Sequence, residues 1–319
     1  MAYRTTPQRG KPMAIDQDNS RLHKLLAGAQ LPALPQSAIR LLELSQDPNN
    51  STTDFAVPIE ADPGLTGQVL RFVNSSYFGF SHEISSIKLA ISLVGIRTIK
   101  NFALWSAVFS LMPNPQCGPF DLKSLWQDSL RRAVFARRFG KLLGLANAED
   151  LFAAALLQDM AVPLLAKELP KEYESLLEQR QGGQYGLSQL EADRFGWTHA
   201  DAGAHIARGW HLPDTFASFI ETHGSLDEHL ADASRDRGAL AVSLSALLPT
   251  AVDDEWFERE RFVAAYQQCA PANAAPVGAF FKLIDSEFTE FAPVLKLTAP
   301  AKPLSAWFAA ELDHAEAID

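Results

Sequence analysis

An all-α fold is predicted by three features of this sequence. Apolar residues recur at three- and four-residue spacing in segment after segment, the period of a helix with one buried face. Helix starts are marked by Ser, Thr or Asp and by proline at a first helical position. Strict alternation of apolar and polar residues, the mark of a half-buried strand, is almost absent. The chain has 319 residues, 47% of them hydrophobic and 10% aromatic, enough for a substantial core in one large domain or two ordinary ones.

The elements follow in order. DNSRLHKLLAGAQ, PQSAIRLLELSQD and STTDFAVPIEAD are three shorter helices separated by LPALP and DPNN, and Pro58 should kink or shorten the third. In PGLTGQVLRFVNSS, Asp62 is the N-cap, Pro63 the first helical residue, and Leu65, Val69, Phe72 and Val73 share one face. SSIKLAISLVGI is capped by Ser85 or Ser86 and ends near Gly95; RTIKNFALWSAVFSLM then runs to Pro113. MPNPQCGPF, residues 112 to 120, carries three prolines and a glycine and reads as the boundary between two helical lobes. Beyond it DLKSLWQDSLRRAVFARRFGKLLG is a long amphipathic helix. Phe135, Phe139, Leu142 and Leu143 lie on one side of it and Arg131, Arg137, Arg138 and Lys141 on the other. The loop LANAED leads into the helix containing LLQDMAVPLL, an apolar run interrupted only by Gln158 and Asp159. Further helices are expected over 171–181, 188–196, 199–210, 213–223, 236–249, 254–269 and 275–290. The expected organisation is a flexible N-terminus over 1–19, a first lobe over 20–112, a second over 113–250 and a C-terminal helical extension over 251–319, its last dozen residues loosely held.

Charge and composition exclude several classes. A net charge of -10 opposes general nucleic-acid binding, which wants a basic face. Cys117 and Cys269 form no CxxC, so neither a disulfide framework nor a zinc knuckle is indicated. The first twenty residues lack the apolar stretch of a signal peptide, and FALWSAVFSLM is too short to span a bilayer. A cytoplasmic protein without a membrane partner is the expectation. GxSxG, GxGxxG, Walker and HExxH motifs are all missing from the sequence.

LPALPQSAIRLLELSQDPNN, IEADPGLTGQVLRFVNSSYFGF and ISSIKLAISLVGIRTIKNFAL, taken together and in this order, resemble the HDOD family. These are bacterial signalling proteins whose domain is related to HD-type phosphohydrolases. The similarity continues through LWQDSL, AALLQDMAVPLL and ADRFGWTHADAGAHIARGWHLPDTFASFIETH, and covers about residues 20 to 224. It implies two helical lobes, the second like the HD-domain/phosphodiesterase helical fold, and a regulatory role.

HD hydrolases hold one or two divalent ions with neutral imidazoles and carboxylates, and the ions lower the pKa of a bound water. Carried over position by position, the resemblance places Asp128 where the first histidine would fall. Gln158 and Asp159 stand for the paired HD, His199 for a later histidine, and Thr222 and His223 for an HH pair. ALAVSLSALL offers no carboxylate for the final acid. An amide is a weak ligand for transition metals. Asp159 is therefore expected to accept hydrogen bonds from backbone or from His199 and tie helices together, with no catalytic residue and no cofactor. A hard divalent cation on the oxygen-rich remnant is the lesser alternative. The function expected is a non-catalytic signal-transduction module that binds a signalling protein, with the cleft between lobes as a candidate small-ligand site. The alternative is a divergent metal-dependent phosphohydrolase using Asp128, Asp159, His199 and His223.

Two surfaces are candidates for partner or cleft contact. One is the basic side of the 131–141 helix, Arg131 and Arg138 included, against the plainer reading of a solvated helix face. The other is NSSYFGF, with Asn74, Ser75 and Tyr77, against aromatics packed under a loop. Asn74 is expected to cap its helix or bridge two others, His205 to pair with Asp201 at i+4, and Asp214 to cap the next helix.

Overall fold

Capping side chains, prolines and glycines cut the chain into helices, and a computed structural model describes residues 13–29, 31–47, 49–232 and 236–310. Among the described residues every regular element is helical. The first lobe holds α1 (Met13–Gly28), α2 (Gln36–Leu44), α3 (Thr52–Glu60), α4 (Pro63–Val73), α5 (Ile87–Val94) and α6 (Ile96–Leu111). Residues 13–19, read above as part of a flexible N-terminus, are helical, because α1 starts before Asp18. Residues 1–12 and 311–319, which carry the rest of the loosely held ends, lie outside the described residues.

Asp62 caps α4 by accepting from Leu65 N at 3.0 Å, and it also accepts from the Ser37 hydroxyl at 2.8 Å. One carboxylate thus starts α4 and ties it to α2. Ser51 and Asp54 form a reciprocal capping box on α3, which holds Pro58 and ends two residues later at Glu60. Ser86 caps α5, and Gly95 at φ +90° turns the chain directly into α6, a conformation that favours glycine.

Asn74 does what its position suggested. As C-cap of α4 it donates to Leu70 O at 2.9 Å and Ile84 O at 2.8 Å, and its carbonyl accepts from Ile84 N at 2.7 Å. The loop 75–86 is therefore pinned through one side chain. Asn74→Ala should cost about 1–3 kcal/mol, the penalty for stranding the Ile84 backbone groups, read as a lower urea midpoint with unchanged slope.

The second lobe is organised around α7 (Leu122–Leu142), followed by α8 (Ala148–Leu157), α9 (Val162–Glu168), α10 (Pro170–Gln179), α11 (Leu187–Phe195), α12 (His199–Gly209), α13 (Asp214–Glu221), α14 (Leu226–Ala231) and α15 (Arg237–Ala246). After it come α16 (Arg259–Cys269), α17 (Val277–Phe291) and α18 (Leu304–Ala310). The short α14 and α18 were not anticipated. Gly140 lets α8 lie against α7: a Cβ there would stand 2.5 Å from Leu151 Cδ1.

The basic side of α7 is only partly solvated, which corrects the sequence reading for two of its residues: Lys141 is exposed and Arg138 half-buried, but Arg131 and Arg137 are not in water. Arg131 and Arg137 are each 2% exposed. Arg131 donates to Pro249 O at 2.9 Å and Lys302 O at 3.0 Å. Arg137 ion-pairs with Glu287 of α17, which Arg138 also engages. The cause is α17 and the segment before α18, which cover the side of α7 that amphipathicity alone would leave in water.

The lobes share one core. Phe291, at the end of α17, meets Phe72, Tyr77 and Trp105 of the first lobe and Phe152 of the second, at ring-centroid distances of 5.6, 5.4, 6.1 and 5.2 Å. Asn101 donates to Glu149 O at 3.0 Å, and Trp210 to Pro32 O at 3.1 Å. Two local expectations are corrected. Asp201 is engaged in a capping box with Thr198, so His205 packs instead on His23, 4.5 Å between ring centroids. Asp214 is the first residue of α13 and makes no cap bond, because Pro213 occupies the cap position.

Candidate functional site

Helix ends, not helix middles, assemble the candidate site. α8 stops at Leu157, Gln158 is its C-cap, and Asp159 lies in the tight turn before α9. The Thr198 capping box sets the start of α12, which makes His199 its first residue. His223 follows the end of α13. All three arrive at one side of α7, where Arg132 ion-pairs with Asp159. Asp159, His199 and His223 offer donor atoms within 4.8 Å of one another, and all three are buried.

The hydrogen bonds assign the protons. His223 Nδ1 lies 2.7 Å from Ile220 O, which only accepts, so Nδ1 carries the proton and the Nε2 lone pair points inward. That lone pair is 3.3 Å from His199 Nε2, which in turn is 3.2 Å from Asp159 Oδ1, so His199 Nε2 is a donor. His199 Nδ1 is 2.7 Å from Glu191 Oε2, again a pure acceptor when ionised. His199 therefore carries both protons and a positive charge.

Electrostatics agree with this assignment. Burial pushes His199 down, but Glu191 and Asp159 outweigh it and lift the imidazole to about 10. Burial and the charge on His199 drive His223 down to about 4. For Asp159, burial works to raise the carboxyl, and Arg132 with the histidines holds it well below the usual range. Glu191 is fully buried and satisfied on both oxygens, by the Tyr173 hydroxyl at 2.6 Å and by the backbone N of His199 at 2.8 Å.

The residues singled out in the sequence divide in three. Asp159, His199 and His223 come together. Asp128 faces the same cavity but turns away from them: its Oδ1 accepts from Ala251 N at 2.9 Å, and burial, partly offset by Arg131 and Arg132, raises it to about 7. Gln158 is fully buried, and neither of its amide atoms has a partner. Ser243, in the segment that lacks the expected acid, donates to Thr222 O at 3.0 Å. Asn74, Ser75 and Tyr77 do not join this cluster. Ser75 bonds back to Phe72 O at 2.7 Å, and Tyr77 lies beneath Arg137, 4.9 Å from ring centroid to guanidinium.

Glu191, Tyr173 and Arg132 were missed by sequence reasoning. Arg132 had a signal, since it follows Asp128 by one helical turn. Glu191 had none, as it sits on a short polar helix eight residues before the histidine it holds.

By distance alone, Asp159, His199 and His223 are spaced as metal ligands. A divalent ion there would have to displace the Arg132 guanidinium from Asp159 and a proton from His199, which meets an acid at each ring nitrogen.

Residues 31–226 match the model of the family described as HDOD domain. An uncharacterized protein of Treponema pallidum (strain Nichols) is 24% identical over 197 residues, which are 61% of this chain and 38% of that protein. The chain thus spans well under half the length of that curated relative. A solved HDOD domain protein of unknown function from Geobacter sulfurreducens shares the fold at a TM-score of 0.62 and 19% identity, over 95% of this chain and 96% of that one. A Shewanella amazonensis protein provisionally named a phosphohydrolase does so at 0.61 and 17%, over 94% and 99%. A Marinobacter aquaeolei VT8 protein provisionally named for signal transduction gives 0.59 and 22%, over 88% and 63%.

Proposed function

The chain belongs to the HDOD domain family, and from that membership we propose that it is a non-catalytic regulatory module of signal transduction that works in the cytoplasm through protein partners. The observation that carries the reading is the Arg132–Asp159 ion pair. Hydrolysis of a phosphodiester by an HD-type site needs a metal-bound water. Here the chain's own guanidinium neutralises the one carboxylate of the cluster, and a doubly protonated His199 lies between two acids. Gln158 at the place of a ligand and Ser243 in the segment of the missing acid point the same way. The cluster then works as a fixed polar tie among α7, α8, α11, α12 and α13. Burial of Arg131 and Arg137 takes two cations out of the basic side of α7, which argues against a nucleic-acid partner there, and no described helix is long and apolar enough to cross a membrane.

A metal-dependent phosphohydrolase is the second reading, favoured by the 4.8 Å grouping of three donor atoms. The two separate in a thermal-unfolding screen of chelator-treated protein with Mn2+, Mg2+, Fe2+, Ni2+ and Zn2+. An ion at about a hundred times its Kd stabilises the native state by about 2.7 kcal/mol, a shift of several degrees. No ion should shift the wild type by that much, whereas Arg132→Ala should gain a response by freeing Asp159. Metal-dependent stabilisation of the wild type together with cleavage of bis(p-nitrophenyl) phosphate would establish the hydrolase instead.

A further inference from the structure

A cavity of about 730 Å³ opens beside the cluster, and the turn between α10 and α11 and the segment joining α15 to α16 form its mouth. The mouth is apolar. Among the described residues eight large apolar side chains are exposed, and three of them, Tyr185, Val252 and Phe257, line this one cavity. Exposed apolar groups gathered at a concave opening mark an interaction surface.

The mouth is also acidic. The exposed charged side chains of the lining are Asp121, Asp227, Glu255 and Glu258 against Arg261. That cation is spent on two of the acids, 3.0 Å from Asp227 and 3.3 Å from Glu258. The less exposed arginines of the lining are paired too, Arg132 with Asp159 and Arg180 with Asp253 at 2.6 Å. An anionic partner would have to break an ion pair to find a cation, whereas a cationic one meets Asp121 and Glu255 beyond those pairs. Further in, Asp128 is 5% exposed and lines the cavity. Its Oδ1 accepts from Ala251 N, while Oδ2 takes no hydrogen bond from any described residue and is not closed off from water. Arg131 stands 3.9 Å from Oδ1 but gives its terminal nitrogens to Pro249 O and Lys302 O.

We propose that this mouth docks a segment of a partner protein in which basic residues are flanked by bulky apolar ones. The apolar side chains cover Tyr185, Val252 and Phe257, and one basic side chain enters the cavity toward Asp128 with its alkyl stem against the apolar lining. The acids steer the approach and reject acidic segments, and the buried apolar contacts hold the complex. The proposal rests on the regulatory reading above and deepens it by giving the protein partner its chemistry.

Three blocked pentapeptides test it on the full chain by calorimetry at pH 8, where Asp128 is ionised, with chelator present. They are Phe-Lys-Leu-Lys-Phe, the same peptide with norleucine for lysine, and the same with glutamate for lysine. The lysine peptide should bind, the norleucine peptide about tenfold or more weakly, and the glutamate peptide not detectably. Glu255→Lys combined with Glu258→Lys should weaken the lysine peptide about tenfold or more. Phe257→Ser and Tyr185→Ser should weaken the lysine and norleucine peptides alike. These positions are exposed, and surface substitutions of this kind leave stability nearly unchanged. Asp128→Asn keeps an acceptor for Ala251 N and should reduce the preference for lysine. Glu83→Lys combined with Glu290→Lys, an equal charge change outside the lining, should alter affinity by less than about twofold, because salt screens distant exposed charges. No binding of the lysine peptide at millimolar concentration, equal binding of the lysine and norleucine peptides, an undiminished lysine preference in Asp128→Asn, or equal losses from the rim and control substitutions would each overturn the proposal. Those outcomes leave the metal screen above untouched, and a metal response there would overturn the non-catalytic reading whatever the peptides do.

Discussion

Arg137→Met should destabilise the protein by about 3–5 kcal/mol, the cost of removing one member of a buried ion pair. Arg137 is 2% exposed and Glu287 5% exposed, so neither charge has water to fall back on. The guanidinium engages Glu287, lies 3.4 Å from Glu149, and stacks over Phe152 at 4.4 Å and Tyr77 at 4.9 Å. It is the point at which α7, α8, α17 and the loop after α4 meet. Methionine keeps much of the volume and removes the charge, so Glu287 is left with Arg138 as its main partner. A double-mutant cycle decides whether the cost belongs to the contact or to the stranded acid. Arg137→Met combined with Glu287→Leu should recover most of the loss, since a well-packed apolar pair of similar size is often as stable as the ion pair it replaces. Urea unfolding measures both. A single-substitution cost below about 1 kcal/mol would mean that the pair is solvated in solution.

Glu191→Gln should cost about 2–4 kcal/mol near neutral pH, with a pH dependence that identifies its origin. Glu191 is the carboxylate against His199, whose imidazole it helps lift to about 10 from an ordinary 6.5. A group whose pKa is raised on folding contributes stability in full below its unfolded value and loses it as pH climbs through the folded one. The contribution of His199 is thus complete below about pH 6.5 and fades towards pH 10. Glutamine keeps the shape and the acceptor for the His199 backbone N but removes the charge. The gap between wild type and variant should therefore be widest near pH 6–7 and close by about pH 10. Taking the difference between the two proteins cancels lysine, tyrosine and cysteine titrations elsewhere. Urea midpoints at a series of pH values, with imidazole NMR shifts to follow His199, supply the measurement. A gap that does not change with pH would show that His199 is neutral in the fold.

Much of the architecture was legible in the chain because its signals are local. Asp62, Ser86 and Asn74 start or end helices through bonds to residues three, four or ten positions away, and such spacing can be read directly. The same holds for the stripe Leu65, Val69, Phe72 and Val73, buried as its period requires. The meeting of Asp159, His199 and His223 came from family resemblance, which supplied long-range pairing that periodicity lacks.

The misreadings have one cause. Arg131 and Arg137 look like a solvated face because amphipathic periodicity says which residues share a side and nothing about what covers it. Arg137 finds its acid 150 residues later, and Arg131 bonds carbonyls 118 and 171 residues later. Asp128 stands on the right helix turn to join the cluster, yet the loop after α15 supplies Ala251 N and takes it away.

Helix content, the Asp62 and Asn74 caps, the exclusion of a membrane-spanning segment among the described residues and the family were therefore determined by the sequence alone. Which charges are buried, which ring nitrogens of His199 and His223 donate, and that Arg132 pairs with Asp159 were decided only by tertiary structure. Capping and periodicity act over one or two helical turns, whereas the energy of a buried charge depends on whatever group distant parts of the chain bring within a few ångströms of it.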